Sequence, residues 1–110
     1  MSVTIGQDLE LIQRPRSPDL GDYDWFDLEL AGTPVGKSRC RIEGGQFTVF
    51  SIMIYPEFEG HGYARVVIEH LKQEYPFIIA DRVRFTARGF WLKVGFLPET
   101  IDRYIWHRSR

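Results

Sequence analysis

The clearest chemical signal in this chain is the triplet Gly60, His61 and Gly62, which follows an apolar run at residues 51–55 and Pro56 and leads straight into a helical pattern. The first turn of a helix leaves backbone N–H groups without partners and carries a partial positive charge, and glycines let an anion approach those groups closely. The spacing predicts an anion site of the phosphate type. A plain strand-to-helix turn, in which the glycines only meet backbone geometry, uses the same residues. A Rossmann dinucleotide site is disfavoured, because its third glycine is absent and so is the parallel βαβ pattern that surrounds it.

The elements around this triplet read as follows. Residues 8–13 predict a first strand, broken by Pro15 and Pro18. Residues 23–30 alternate, with Asp24, Phe26, Leu28 and Leu30 on the core side and Tyr23, Trp25, Asp27 and Glu29 on the other. Turn chemistry at Gly32 and Pro34 leads to a strand at 35–42, in which Gly36, Ser38, Cys40 and Ile42 oppose Val35, Lys37, Arg39 and Arg41. After Gly44 and Gly45, residues 46–55 are too apolar for an edge and predict a central strand. From Gly62 to Glu74 the period changes to that of an amphipathic helix, with Ala64, Val67, Ile68, Leu71 and Tyr75 on its apolar face. Pro76 stops it. A short strand at 76–80 follows, then a second helix from an N-cap at Thr86 to a C′ residue at Gly95, and a last strand at 102–108.

A length of 110 residues suits one domain over residues 1–110. With 44% hydrophobic and 15% aromatic residues, there is enough apolar material to offset chain entropy. A formal charge of −1 and a pI near 6.3 give no general attraction to nucleic acid. Basic residues do gather toward the C-terminal end (Arg82, Arg84, Arg88, Lys93, Arg103, His107, Arg108, Arg110), where they form a solvated face or serve a small anion. Cys40 is the lone cysteine, which rules out an intrachain disulfide and a multi-cysteine zinc site. No run approaches the ~18 apolar residues of a membrane helix, and no basic-then-apolar leader opens the chain. The expectation is a cytoplasmic protein with neither a membrane nor a nucleic-acid partner.

Two ordered segments carry a family resemblance. The run from Ile54, Tyr55 and Pro56 through Glu59-Gly60-His61-Gly62-Tyr63-Ala64 resembles the core motif of the GNAT (GCN5-related N-acetyltransferase) family, a strand ending in hydrophobic-x-Pro before Gln/Arg-x-x-Gly-x-Gly/Ala. Downstream, AxxFWLKVGF from Ala87 to Phe96 is similar to the family's AxxFYxKxGF segment. The resemblance runs from about Tyr23 onward. It implies an α+β fold with a mixed, mostly antiparallel, splayed sheet and two helices. It also implies acetyl-CoA or another acyl-CoA as cofactor and a primary amine as acceptor. Backbone groups around Met53 and Ile54 would pair with the pantetheine arm, and main-chain N–H groups of Glu59, Gly60, His61, Gly62, Tyr63 and Ala64 would hold the pyrophosphate.

The chain departs from the family pattern at informative places. Glu59 stands where the family has Gln or Arg: pointing inward its carboxylate weakens phosphate binding, pointing to water it leaves the backbone site intact, and His61 either compensates in part when protonated or is an exposed histidine without a role. Trp91 stands where the family's tyrosine protonates the departing thiolate. An indole N–H is no usable acid, so Trp91 reads as a core or cleft wall, and Tyr63 and Tyr104 are substitutes by type only. Arg84 falls near the family's frequent asparagine, as a phosphate or pantetheine contact or as a surface arginine. Between the first two strands only about ten residues, around Arg14 to Tyr23, replace the usual helices, so a dimer partner or target protein would supply that wall. Glu29, Glu43, Glu57 and Asp81 are acidic without any one standing out as a general base. Two functions stay open: an N-acyltransferase, and a catalytically reduced module that senses acyl-CoA or acts by protein–protein interaction.

Overall fold

The computed structural model describes residues 2–6, 8–14 and 23–109. The expected Pro-rich loop with Pro15 and Pro18, and Arg110 of the basic cluster, lie outside the described residues. The elements run β1 (Ser2–Gly6), β2 (Leu9–Gln13), β3 (Asp24–Leu30), β4 (Thr33–Glu43), β5 (Gln46–Ile54), a 3-10 turn (Pro56–Phe58), α1 (Tyr63–Glu74), β6 (Phe77–Ala80), a second 3-10 turn (Phe85–Ala87), α2 (Arg88–Lys93), β7 (Leu97–Pro98) and β8 (Tyr104–His107).

Among the described residues the strands form one sheet in the order β1-β2-β3-β4-β5-β6-β8-β7, antiparallel everywhere except between β5 and β6. The expected mixed, mostly antiparallel α+β fold is therefore present, with β5 central. Because α1 links β5 to its parallel neighbour β6, one parallel βαβ unit does exist, contrary to the reading that set the Rossmann pattern aside. The amphipathic pattern marked α1 as a helix but not the direction in which the next strand would pair.

The core lies between α1 and one face of the sheet. Val67, Ile68 and Leu71 of α1 are buried in the same cluster as Leu11, Phe26, Cys40 and Phe47. The other face carries Trp25 opposite Arg39 and Asp27 opposite Lys37, the polar side that the alternation of β3 predicted.

Three local expectations change. The sequence missed β1, which forms a hairpin with β2 through Asp8 at φ 68°. The β3–β4 turn is Ala31-Gly32, both at positive φ, and Pro34 lies inside β4 opposite Glu29 at a bulge. Pairing with β5 begins only at Gly36, so proline's missing N–H costs no ladder bond there. Thr86 is not an N-cap but part of the 3-10 turn, and α2 begins at Arg88 with no side-chain cap. Gly95 does end α2 as expected: its N–H donates to the Leu92 carbonyl and that of Phe96 to the Trp91 carbonyl, a Schellman pair. No helix among the described residues is long and apolar enough to cross a membrane.

Candidate functional site

The site begins where β5 loses a neighbour. Parallel pairing with β6 runs from Gln46↔Phe77 to Val49↔Ala80, and the Asp81 N–H still donates to the Val49 carbonyl at 2.9 Å. The chain then turns away through Arg82, a non-glycine residue at φ 54°, and Val83 bonds to the Asp102 carbonyl instead. β5 continues to Ile54, paired only with β4. Its other edge is open among the described residues, which is the splay that the family resemblance implied.

Which backbone groups face that opening follows from strand alternation. The Tyr55 N–H donates to Val35 of β4 at 2.9 Å, so Met53 and Ser51 also turn their polar groups toward β4. The Met53 carbonyl lies 2.3 Å from where a Cβ on Gly36 would stand. Ile52 and Ile54 therefore present their N–H and C=O groups to the opening. Of the two residues expected there, Ile54 turns its backbone groups to the opening and Met53 turns them to β4. Ile52, which sequence reasoning missed, takes its place.

The glycine loop supplies the second part. Phe58 N–H closes the 3-10 turn on Tyr55 at 2.8 Å, and the Glu59 N–H is taken by the Pro56 carbonyl at 3.4 Å, which removes Glu59 from the set of free amides. Gly60 (φ 85°) and Gly62 (φ 76°) follow. Gly62 is the N-cap of α1, in a left-handed conformation that a side chain would strain. The first bond within α1 runs from Val66 N–H to the Gly62 carbonyl at 3.0 Å, so the N–H groups of Tyr63, Ala64 and Arg65 have no partner within the helix. No side chain caps this end and no acidic residue lies in the first turn. Residues 59–62 are exposed. His61 and Tyr63 stack with centroids 5.4 Å apart, a cover over one side of the loop.

A cavity of about 620 Å³ fills the splay. Of the sequence candidates, Met53, Ala64, Arg84 and Trp91 line it, while Tyr63 and Tyr104 do not. Trp91 is 4% exposed, its ring 4.9 Å from that of Phe96 and 5.1 Å from that of Phe90. Packing thus decides its part as a wall. Among the four acidic candidates only Asp81 reaches the cavity. Glu29 pairs with Arg14, Glu43 pairs with Arg41, and Glu57 is exposed. Asp81 accepts the Arg82 backbone N–H at 2.9 Å. The described residues contain no group of His, Cys, Asp and Glu able to hold a metal ion.

No family model matches the chain. Over 75 residues it is 32% identical to an uncharacterised N-acetyltransferase of Bacillus cereus strain B4264, an alignment covering 66% of this chain and 47% of that protein. The chain thus spans about half the length of the curated relatives it matches. Among solved structures, the Bacillus subtilis N-acetyltransferase YlbP in complex with coenzyme A superposes with a TM-score of 0.61 at 18% identity, over 76% of this chain and 66% of that one. The Escherichia coli protein YhhK bound to coenzyme A gives 0.64 at 13% identity, over 86% and 79%.

Proposed function

We propose, from the premise that this chain is assigned to the GNAT family by the sequence and fold it shares with N-acetyltransferases, that residues 1–110 act as one unit that binds an acyl-CoA and passes its acyl group to a primary amine. The observation that carries the reading is the continuity of two unpaired backbone surfaces. The open edge of β5 at Ile52 and Ile54 leads to the free amides at the start of α1, with Ala64 lining the cavity between them. An extended polyamide such as pantetheine adds to a strand edge as a peptide does. A pyrophosphate suits the exposed N–H groups of Gly60 to Ala64, where the helix dipole favours negative charge.

The acyl-CoA contributes an activated thioester. In its transfer the amine nitrogen forms the C–N bond, the C–S bond breaks, and the amine's proton ends on the departing thiolate by way of water. The chain's residues position the ligand. Ile54 N–H is the backbone donor nearest the end of the open edge and is suited to polarise a carbonyl. Trp91 and Phe90 form an apolar wall of the cleft. Trp91 donates no proton, so the thiolate takes it from solvent. Cleft packing therefore permits the transfer without a tyrosine but gives it no side-chain acid.

That same burial of Trp91, with Glu59 beside the amides, favours a second reading: a module that binds acyl-CoA and works through a protein partner. Calorimetric titration with acetyl-CoA and CoA tests both, on wild type, Gly62→Asp and Gly62→Asn. Asparagine tolerates the left-handed conformation without adding charge. Wild type and Gly62→Asn should bind alike, and Gly62→Asp about 10- to 30-fold more weakly, as expected for a carboxylate beside bound phosphate. Absence of binding to wild type rejects the acyl-CoA site. Binding without turnover across an amine panel favours the second reading.

A further inference from the structure

The cavity has a second wall that the acyl-CoA site does not use. Trp25 of β3 with Lys37 and Arg39 of β4 lie on the sheet face away from α1, and all three line the cavity. The Arg39 guanidinium sits 5.2 Å above the Tyr23 ring and 5.7 Å from that of Trp25, and its Nε donates to Ser51 Oγ at 3.0 Å. Held at one edge and on its faces, it leaves its terminal nitrogens as a ready fork of donors. Lys37 Nζ stands 5.1 Å over Trp25. Arg14 pairs with Asp27, and Arg103 pairs with Glu99. Neither Lys37 nor Arg39 has a carboxylate partner among the described residues. Arg84 adds positive charge across the cavity, whose lining among the described residues holds one carboxylate, that of Asp81.

We infer that the wall formed by Arg39, Lys37 and Trp25 is a carboxylate subsite, so that the acceptor is a small amine that also carries an acidic group. This rests on the transferase reading for its meaning, but the subsite itself is a property of the sheet face. A fixed guanidinium with an open fork selects a planar carboxylate. Lys37, Arg39 and Arg84 around one cavity repel a polyamine. Asp81 lies across β5 from Arg39, two strand spacings or about 10 Å away, so an ammonium and a carboxylate on one small molecule have opposite charges to meet at the two sides. The phosphates of CoA do not account for these cations, because the free amides of the glycine loop lie outside this wall.

The test reads the Trp25 indole N–H resonance, assigned with Trp25→Phe, during titration with N-acetyl-glutamate, which models the acetylated product of an acidic amine. Its diamide and spermidine serve as controls. A saturable shift is expected with the diacid, at least about tenfold weaker with the diamide and in Arg39→Gln, as for loss of a charge-assisted bond. Acetyl-CoA affinity should be unchanged in Arg39→Gln. Lys37→Gln, expected to weaken the diacid alone, decides the matter should Arg39→Gln fail to fold. No shift, equal shifts from diacid and diamide, or a preference for spermidine overturns the inference. Diacid binding by a protein that does not bind acetyl-CoA would leave the subsite standing and remove the transferase reading.

Discussion

Replacing Gly36 by alanine tests the geometry on which the cleft depends. A Cβ there would stand 2.3 Å from the Met53 carbonyl oxygen, 3.2 Å from Ile54 Cα and 3.3 Å from Ile54 Cδ1. The first distance is about 1 Å inside the 3.4 Å at which ordinary contact begins, and the neighbour is backbone, which cannot rotate aside. β4 and β5 must part at the pair Gly36↔Ile54. Overpacking of this kind costs about 1–3 kcal/mol, and one or two ladder bonds add about 1 kcal/mol each. A total of about 2–5 kcal/mol corresponds to a melting point lower by roughly 10–25 °C for a chain of this size. The same change at Gly89 in α2, where nothing lies within 4 Å of the new methyl, should stabilise by about 0.5–1 kcal/mol through chain entropy and helix propensity. Thermal denaturation followed by circular dichroism reads both. The Gly36 variant should also bind acetyl-CoA more weakly, since Ile54 moves with the strand. Melting of Gly36→Ala within about 3 °C of wild type, or a loss as large in Gly89→Ala, would refute the close approach of β4 to β5.

Other expectations concern how the cleft wall is held. Lys72 donates to the Val94 carbonyl at the end of α2 and to Glu69 Oε1 at 3.1 Å, and its Nζ lies 5.3 Å from the Trp106 ring. Lys72→Met keeps the packing of the stem and removes the charge at a helix C-terminus, so urea denaturation should show a loss of about 1–2 kcal/mol; an unchanged midpoint would show that α2 needs no such anchor. The buried Cys40 thiol is pushed up to about 12 from 9.0, by burial first and by the Asp24 charge in addition, with its contact to Ser38 opposing. The folded state thus holds a proton that the unfolded state releases sooner. The resulting stability is complete below pH 9.0 and lost as pH rises toward about 12. Unfolding free energies measured across that window should fall more steeply for wild type than for Cys40→Ala, and parallel curves would contradict the burial.

Much of this architecture is legible one residue at a time. The 3.6-residue period of Val67, Ile68 and Leu71 wrote α1, the alternation of Phe26 and Leu28 wrote the core side of β3, and Gly62 and Gly95 marked the start of one helix and the end of another. Each depends on nearest-neighbour chemistry: side-chain periodicity and the backbone angles open to glycine. The phase of the cleft was a different matter. A bulge between Arg39 and Cys40 shifts the β4–β5 register by one residue, so that Ile52 and Ile54 face the opening while Met53 turns to β4. Nothing in the run SIMIY records the inserted residue, because a bulge exists only relative to the partner strand. The parallel match of β5 with β6, its end at Val49, and the meeting of Arg39 with Tyr23, Trp25 and Ser51 were likewise decided by tertiary structure. These contacts join residues far apart in the chain, and only the folded sheet brings them within a few ångströms.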